Sequence, residues 1–236
     1  MKISILTATF NSAKYIKKLI ESLNKQDLKK FEWIIIDNIS KDKTLKIIRD
    51  KFKGECQIIC EKDNGIYQAL NKGLKIAKYD YYLVLGCDDF LFDDGLDIFL
   101  KSLKDKPDAI TAQVFIGKKI NKVKGSPRIL NRQFKYFSAH SVGTIFKKDI
   151  HSKIGYYNER YQIASDQEFM MKLAIDYKGY IKEINSVVGI FGTSGKSSTN
   201  VFECLSESFN VSIKYDNRYI LLFIYFLKLI KNIHIL

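Results

Sequence analysis

Proline is nearly absent from this chain, with two residues in 236. That excludes long extended linkers and Pro-rich low-complexity tracts, and 46% hydrophobic with 28% charged residues is the composition of a folded globular protein. Cysteine is scarce as well. Cys56, Cys60, Cys87 and Cys204 show no CxxC spacing and no accompanying His/Cys cluster, which removes the zinc-ribbon class and points to a reducing compartment. No apolar run reaches the roughly 20 residues that span a bilayer. The amino-terminal MKISILTATFNS carries one lysine and a short apolar run ending in polar residues, strand-like rather than a secretory signal, so the expected location is the cytoplasm. No internal repeat is found.

Positive charge, in contrast, is abundant: 39 Lys and Arg against 26 Asp and Glu, a formal net charge of +13. The excess is either solvated surface lysine or the footprint of an anionic partner: nucleic acid, an anionic membrane leaflet or a phosphorylated small molecule. The lysines are dispersed among amphipathic helices, and no recognition helix, RNP aromatic signature or zinc finger accompanies them, so nucleic acid is not expected.

The length suits one large domain with an appendage. Ile3 to Ala8, Trp33 to Ile36, Cys56 to Cys60 and Tyr81 to Leu85 read as buried strands. Between them the spacing predicts helices over Ala13 to Leu23, through Leu45 to Ile48, and over Gly65 to Ala77, with Ser12 and either Ser40 or Asp42 as N-caps. Such alternation requires crossover connections and predicts an α/β fold: a Rossmann-like, mostly parallel mixed sheet with helices on both faces. Ligands of such sheets bind at the carboxyl ends of the strands. There the chain places Thr9 and Asn11, Asp37 and Asn38, Glu61 with Asp63 and Asn64, then Asp88 with Asp89. Farther on come strands at Ala109 to Ile116 and Ile120 to Val123, a loop through Gly125 to Arg132, a helix at Asp166 to Ile175, a strand at Tyr180 to Ile190 and the loop GTSGKSSTN.

Asp88 and Asp89 follow the apolar strand YYLVLGC. Two adjacent carboxylates at the open end of a sheet suit a hard Mg2+ or Mn2+ ion bridging a diphosphate. Helix capping is the alternative, but Asp93 and Asp94 stand nearer the next helix start. Asp37, Glu61 and Asp63 are weaker signals, able to accept from a nucleobase or ribose or to sit in a solvated turn.

Together the strings SILTATFNSAKYI, EWIIIDNISKDKT, EKDNGIYQALNKGLKIAKYDYYLVLGCDD and SAHSVGTIFKKDIHSKIGYYNERYQIASDQEFMMKLA resemble the inverting family 2 glycosyltransferases of the GT-A fold, particularly bacterial polysaccharide-type members. The resemblance implies that Thr7, Ala8 and Thr9 line a nucleoside diphosphate sugar, that Asn11 and Asp63 lie close to it, and that Asp37 contacts its base, uridine being expected. It implies that Asp89, helped by Asp88, binds Mn2+ or Mg2+, that Asp166 is the general base, and that His140 lines the donor or acceptor pocket. Asp166 also reads as a simple N-cap, and His140 as a structural hydrogen-bonding residue. The sequence departs from the family where DNIS stands for two acids and a glycine, and where Gln68 replaces an acid. Lys196 is either a diphosphate contact or a surface lysine; its loop lacks Walker spacing.

The expected division is residues 1–104 as nucleotide-binding half, 105–200 as acceptor half, and 201–236 as a C-terminal amphipathic, apolar helical extension. The block YILLFIYFLKLI, with Lys214, Arg218, Lys228 and Lys231 on one broad side, suits a helix lying on an anionic membrane, at the inner face of the cell membrane. Closure of the core or a homodimer seam are its alternatives. A saccharide or lipid-linked saccharide of a cell-surface polysaccharide or lipopolysaccharide pathway is the expected acceptor. Two other functions compete: a sugar nucleotidyltransferase, whose Gly-rich basic N-terminal loop TATFNSAKY lacks, and a non-catalytic nucleotide-binding scaffold.

Overall fold

The computed structural model describes residues 1–123, 135–195 and 200–232, with the Lys231 side chain excepted. The loop expected through Gly125 to Arg132 and Lys196 lie outside the described residues.

The first half alternates as the sequence predicts: β1 (Ile3–Thr9), α1 (Ile16–Asn24), β2 (Phe31–Asp37), α2 (Thr44–Lys51), β3 (Cys56–Cys60), α3 (Ile66–Ile76) and β4 (Tyr81–Val84). Then come β5 (Phe90–Leu91), α4 (Gly95–Ser102), β6 (Ala109–Ile116), β7 (Lys119–Asn121), β8 (Thr144–Lys147), α5 (Ile150–Ile154), α6 (Ser165–Met171), β9 (Ile181–Phe191), α7 (Val201–Ser212) and α8 (Arg218–Lys231). The strands form one sheet in the order β3-β2-β1-β4-β8-β6-β9-β5, with β7 on β6. β3, β2, β1 and β4 are mutually parallel; β8 enters antiparallel to β4 and β6 returns antiparallel to β8.

The parallel strands read as continuous apolar runs because helices cover both faces. One face packs Ile16, Leu19, Leu23, Trp33 and Phe99 beneath α1, α2 and α4. The other packs Leu70, Tyr82, Phe146 and Phe169 beneath α3, α5 and α6. Each such side chain, fully buried, contributes about 1.5–3 kcal/mol of transfer free energy.

Of the expected caps, Asp42 serves the start of α2 and the others differ. Ser12 starts the turn into α1 with its carbonyl, which accepts from Tyr15 and Ile16 N–H, while its hydroxyl returns to Phe10 O. Ser40 binds Asp37, leaving Asp42 Oδ1 to accept from Thr44 N at 2.9 Å. Asp94 makes no side-chain cap and Asp93 pairs with Lys25; the Leu96 N–H at the start of α4 is instead met by Gln26 Oε1 from a neighbouring segment.

The C-terminal extension is a helical pair rather than one rod. Asn217 accepts from Tyr219 and Ile220 N–H and so starts α8 afresh after the turn. Tyr225 binds Ser206 at 3.0 Å and stacks near Phe209, closing α8 onto α7. No helix among the described residues is long and apolar enough to cross a membrane.

Candidate functional site

The carboxyl ends of β1, β2 and β4, the start of α3 and the loop before α6 converge on two adjoining cavities. One, of about 320 Å³, is lined by Thr9, Phe10, Asn38, Asp63, Ile66 and Gln162, with Ala8 in its floor. The other, of about 160 Å³, reaches from Ala8 and Gly86 to Tyr67, His140, Ser141 and Asp166. Two larger depressions, of about 700 and 590 Å³, lie at the opposite, amino end of the parallel strands around Lys2 and Lys78. They lie away from the carboxyl ends of the strands, where chemistry in such sheets belongs.

Of the residues singled out in β1, only those at its carboxyl end reach the cavities. Ala8 and Thr9 face them. The Thr7 hydroxyl points away, accepting from Trp33 Nε1 at 3.0 Å inside the core. Asn11, at φ 45°, braces the next loop: its Oδ1 accepts from Lys41 N and its N–H donates to Ser40. Neither Thr7 nor Asn11 lines the cleft.

Asp37 and Asp63 sit in opposite hydrogen-bonding states. The Asp37 carboxylate is completely buried and fully engaged, accepting from Thr9 and Ser40 hydroxyls at 2.5 and 2.6 Å and from Ser40 N at 2.7 Å. It holds the β1 and β2 loops together and turns no free lone pair to the cleft. Asp63, whose side chain is 2% exposed, meets the Lys72 ammonium through Oδ1 at 2.5 Å, but its buried Oδ2 has no hydrogen-bond partner. A buried carboxylate oxygen without a donor is costly unless a ligand supplies one. Asn38, which sequence reasoning noted only as a strand-end polar residue, lines the same cavity and orients this turn by accepting from Asp63 N at 2.8 Å.

Asp88 and Asp89 likewise divide their tasks. Asp89 is 2% exposed, and its two oxygens accept from Gly86 N at 2.6 Å and Gly192 N at 2.8 Å. Burial pushes its carboxyl up to about 7, against the opposing pull of those N–H groups and the Ser141 hydroxyl. Asp88 is half-buried and binds Ser194 N at 2.7 Å. A Cβ at Gly192 would meet the Asp88 carboxylate, so any side chain there would displace it. The donor set suits a hard divalent cation: two carboxylates, with the only adjacent thiol, Cys87, directed to Ala8 O and raised to about 12 by burial. Among the described residues no group of three or more His, Cys, Asp or Glu could hold a metal alone, so oxygens of a bound ligand would have to complete the shell.

Asp166 lies in the first turn of α6. Its Oδ1 accepts from Gln167 N at 2.7 Å and lies 3.0 Å from Tyr67 OH, whose one proton is shared with the Ile163 carbonyl, and its Oδ2 faces His140 Nδ1 at 4.0 Å. The loop that delivers it is fastened from outside the first 200 residues. The Glu207 carboxylate in α7 accepts from the backbone N–H groups of Gln162, Ile163 and Ala164 at 2.8, 2.8 and 2.9 Å. Lys214 pairs with Glu168 at 2.5 Å, and Gln167 reaches Ser212 at 3.2 Å. Lys214, expected to face lipid phosphates, therefore faces α6. No sequence signal marked Glu207, because a lone acid on an amphipathic helix resembles any solvated one.

Val142, buried and β-branched, takes φ 52° beside Ser141, and Ile39 takes φ 54° at the other loop. Left-handed β-branched residues store about 1–3 kcal/mol each, and such strain clusters at functional sites.

Comparison with known proteins gives the family and the fold. Residues 4–166 match the sequence model of Glycosyl transferase family 2. A PGL/p-HBAD biosynthesis glycosyltransferase of Mycobacterium bovis is 27% identical over 206 residues, 85% of this chain and 80% of that protein. Among solved structures, Staphylococcus aureus TarS residues 1–349 in complex with UDP-GlcNAc superposes with TM-score 0.70 at 23% identity, over 89% of this chain and 64% of that one. A mannosyltransferase from Pyrobaculum calidifontis in complex with GDP-Man and Mn2+ also gives 0.70, at 18% identity, over 94% and 68%.

Proposed function

The chain belongs to the family 2 glycosyltransferases, and we propose that it transfers a sugar from a uridine diphosphate sugar to a hydroxyl of a saccharide or lipid-linked saccharide, with inversion, in cell-surface polysaccharide synthesis. The observation that carries the donor reading is the buried, unpartnered Asp63 Oδ2 in a cavity that adjoins the one lined by Asp166. A nucleobase or ribose donor would satisfy it.

Asp88, the more accessible of the pair, with Asp89 fixing the Gly86 and Gly192 backbone around it, would hold Mg2+ or Mn2+. Such an ion, when bound, stabilises charge on a departing diphosphate. Asp166 is the base: Tyr67 and Gln167 N fix one oxygen and leave the other toward the cavity, where it removes the acceptor proton as the hydroxyl attacks the anomeric carbon. Calorimetry with UDP, GDP and TDP, each with and without Mn2+, tests this reading. Metal-dependent binding of UDP supports it; binding of none of the three overturns it.

The apolar outer face of α8, with Tyr219, Phe223, Phe226 and Ile230 each 59–67% exposed, is the surface for an anionic membrane, to which the net charge of +13 is complementary. The cytoplasmic leaflet is the natural source. Truncation after Asn217 should abolish cosedimentation with phosphatidylglycerol vesicles; unchanged cosedimentation, or a dimer that dissociates on truncation, would refute it.

A further inference from the structure

Behind the catalytic pocket runs an unbroken buried chain of polar side chains. His140 Nε2 lies 2.7 Å from Tyr157 OH, which lies 2.8 Å from Tyr82 OH, which lies 2.8 Å from His151 Nε2. His151 Nδ1 lies 3.1 Å from the Gly155 carbonyl. A carbonyl only accepts and each phenol has one proton, so the chain has one direction. His151 must carry its proton on Nδ1 to donate to Gly155. Burial holds His151 down to about 4, so it is neutral and its Nε2 is bare. Tyr82 therefore donates to His151, Tyr157 donates to Tyr82, and the proton between His140 and Tyr157 belongs to His140 Nε2. Burial also lowers the basicity of His140, against the opposing pull of Asp166, so His140 is neutral and its Nδ1 is bare.

That bare nitrogen meets no donor among the described residues and faces Asp166 Oδ2 across 4.0 Å. Two acceptors at that separation are bridged by two hydroxyls, each about 2.7 Å from its acceptor, when the hydroxyl oxygens are close neighbours, as on adjacent ring carbons. We propose that Asp166 and His140 together read a vicinal diol of the acceptor saccharide, Asp166 taking the reacting hydroxyl and His140 Nδ1 accepting from its neighbour. Tyr157, Tyr82 and His151 are positioning residues that hold His140 in the accepting tautomer. The inference rests on the transferase reading for its ligand, but its tautomeric core does not.

Long-range 1H–15N spectra of histidine-labelled protein at pH 7.5 test both parts. The two buried histidines should show opposite neutral tautomers, Nε2–H for His140 and Nδ1–H for His151, with His140→Gln giving the assignment. In the presence of UDP, methyl glycosides bearing a free vicinal diol should move the His140 Nδ1 resonance, and removal of either hydroxyl should weaken that response at least tenfold. Tyr157→Phe should let His140 populate both tautomers. A His140 protonated on Nδ1 in the wild type, or an Nδ1 resonance that no glycoside moves, overturns the proposal. Binding of UDP is read separately in the same samples from the Asp63 backbone amide, so failure of the donor reading is seen independently.

Discussion

The two ends of the proposed catalytic cleft are fastened in different ways. At the proposed nucleotide end, the loops after β1 and β2 lock each other through Asp37, Ser40, Asn11 and Asp42, in segments that follow two adjacent parallel strands. At the base end, the loop before α6 has its backbone N–H groups held by Glu207, and Asp166 is steadied by Tyr67 of α3. The first end is built by the sheet itself; the second depends on a helix that follows the sheet and carries the exposed apolar pair partner. Donor binding and proton removal should therefore be separable by mutation.

The largest separation is expected for Asp166→Asn. General bases contribute about 10²–10⁴-fold, so transfer should fall by roughly a thousandfold while UDP affinity stays within twofold. Retained transfer would remove Asp166 from the role and leave it as a helix-start residue. Glu207→Gln comes next. An amide offers one acceptor oxygen where the carboxylate engaged three N–H groups. Charged hydrogen bonds are each worth about 1.5–3 kcal/mol, so kcat should fall roughly ten- to a hundredfold. Equal losses in kcat and UDP affinity would show that the two ends are not independent.

At the nucleotide end the contrasting variant is Asp63→Asn. Losing a charged acceptor should weaken UDP binding about tenfold with kcat nearly unchanged at saturation. Lys72 keeps Glu61 at 2.8 Å, so the melting temperature should change little. A large fall in stability with unaltered affinity would make Asp63 a structural partner of Lys72 only.

This contrast also explains what could be seen in the sequence. The alternation of strand and helix up to Tyr81, the exact span of β3 and the strand-end positions of Asp63 and Asp88 were legible, because apolar periodicity and strand-end acids report directly on a parallel sheet, whereas Asp166 was indicated only by the family resemblance. Which acids are free was not. Asp37 and Asp63 have the same sequence signal, and only the position of Ser40 and Thr9 fills one carboxylate and leaves the other short of a donor. The contact of Glu207 with residues 162–164, and the chain from His140 to His151, join distant segments through packing, which local pattern does not encode.

The smallest effect tests the buried histidines through acid stability. His151 drops from 6.5 to about 4 on folding because burial disfavours its cation. Above 6.5 neither state is protonated and the group is silent; between 6.5 and 4 the unfolded chain binds a proton that the folded one refuses, so stability falls with acidification. Asp89 acts with the opposite sign: its carboxyl, raised from 3.8 to about 7, lets the folded state bind the extra proton, so stability rises as pH drops through that window. The wild type therefore shows a flatter acid limb than either group alone would give. His151→Gln keeps Asp89 and removes only the first contribution. At pH 5 the variant should regain about 2 kcal/mol relative to its deficit at pH 7.5, narrowing the gap in melting temperature by roughly 5 °C. A gap that stays constant between the two pH values would mean that His151 is protonated in the folded state, and the one-way hydrogen-bond chain behind Asp166 would lose its anchor.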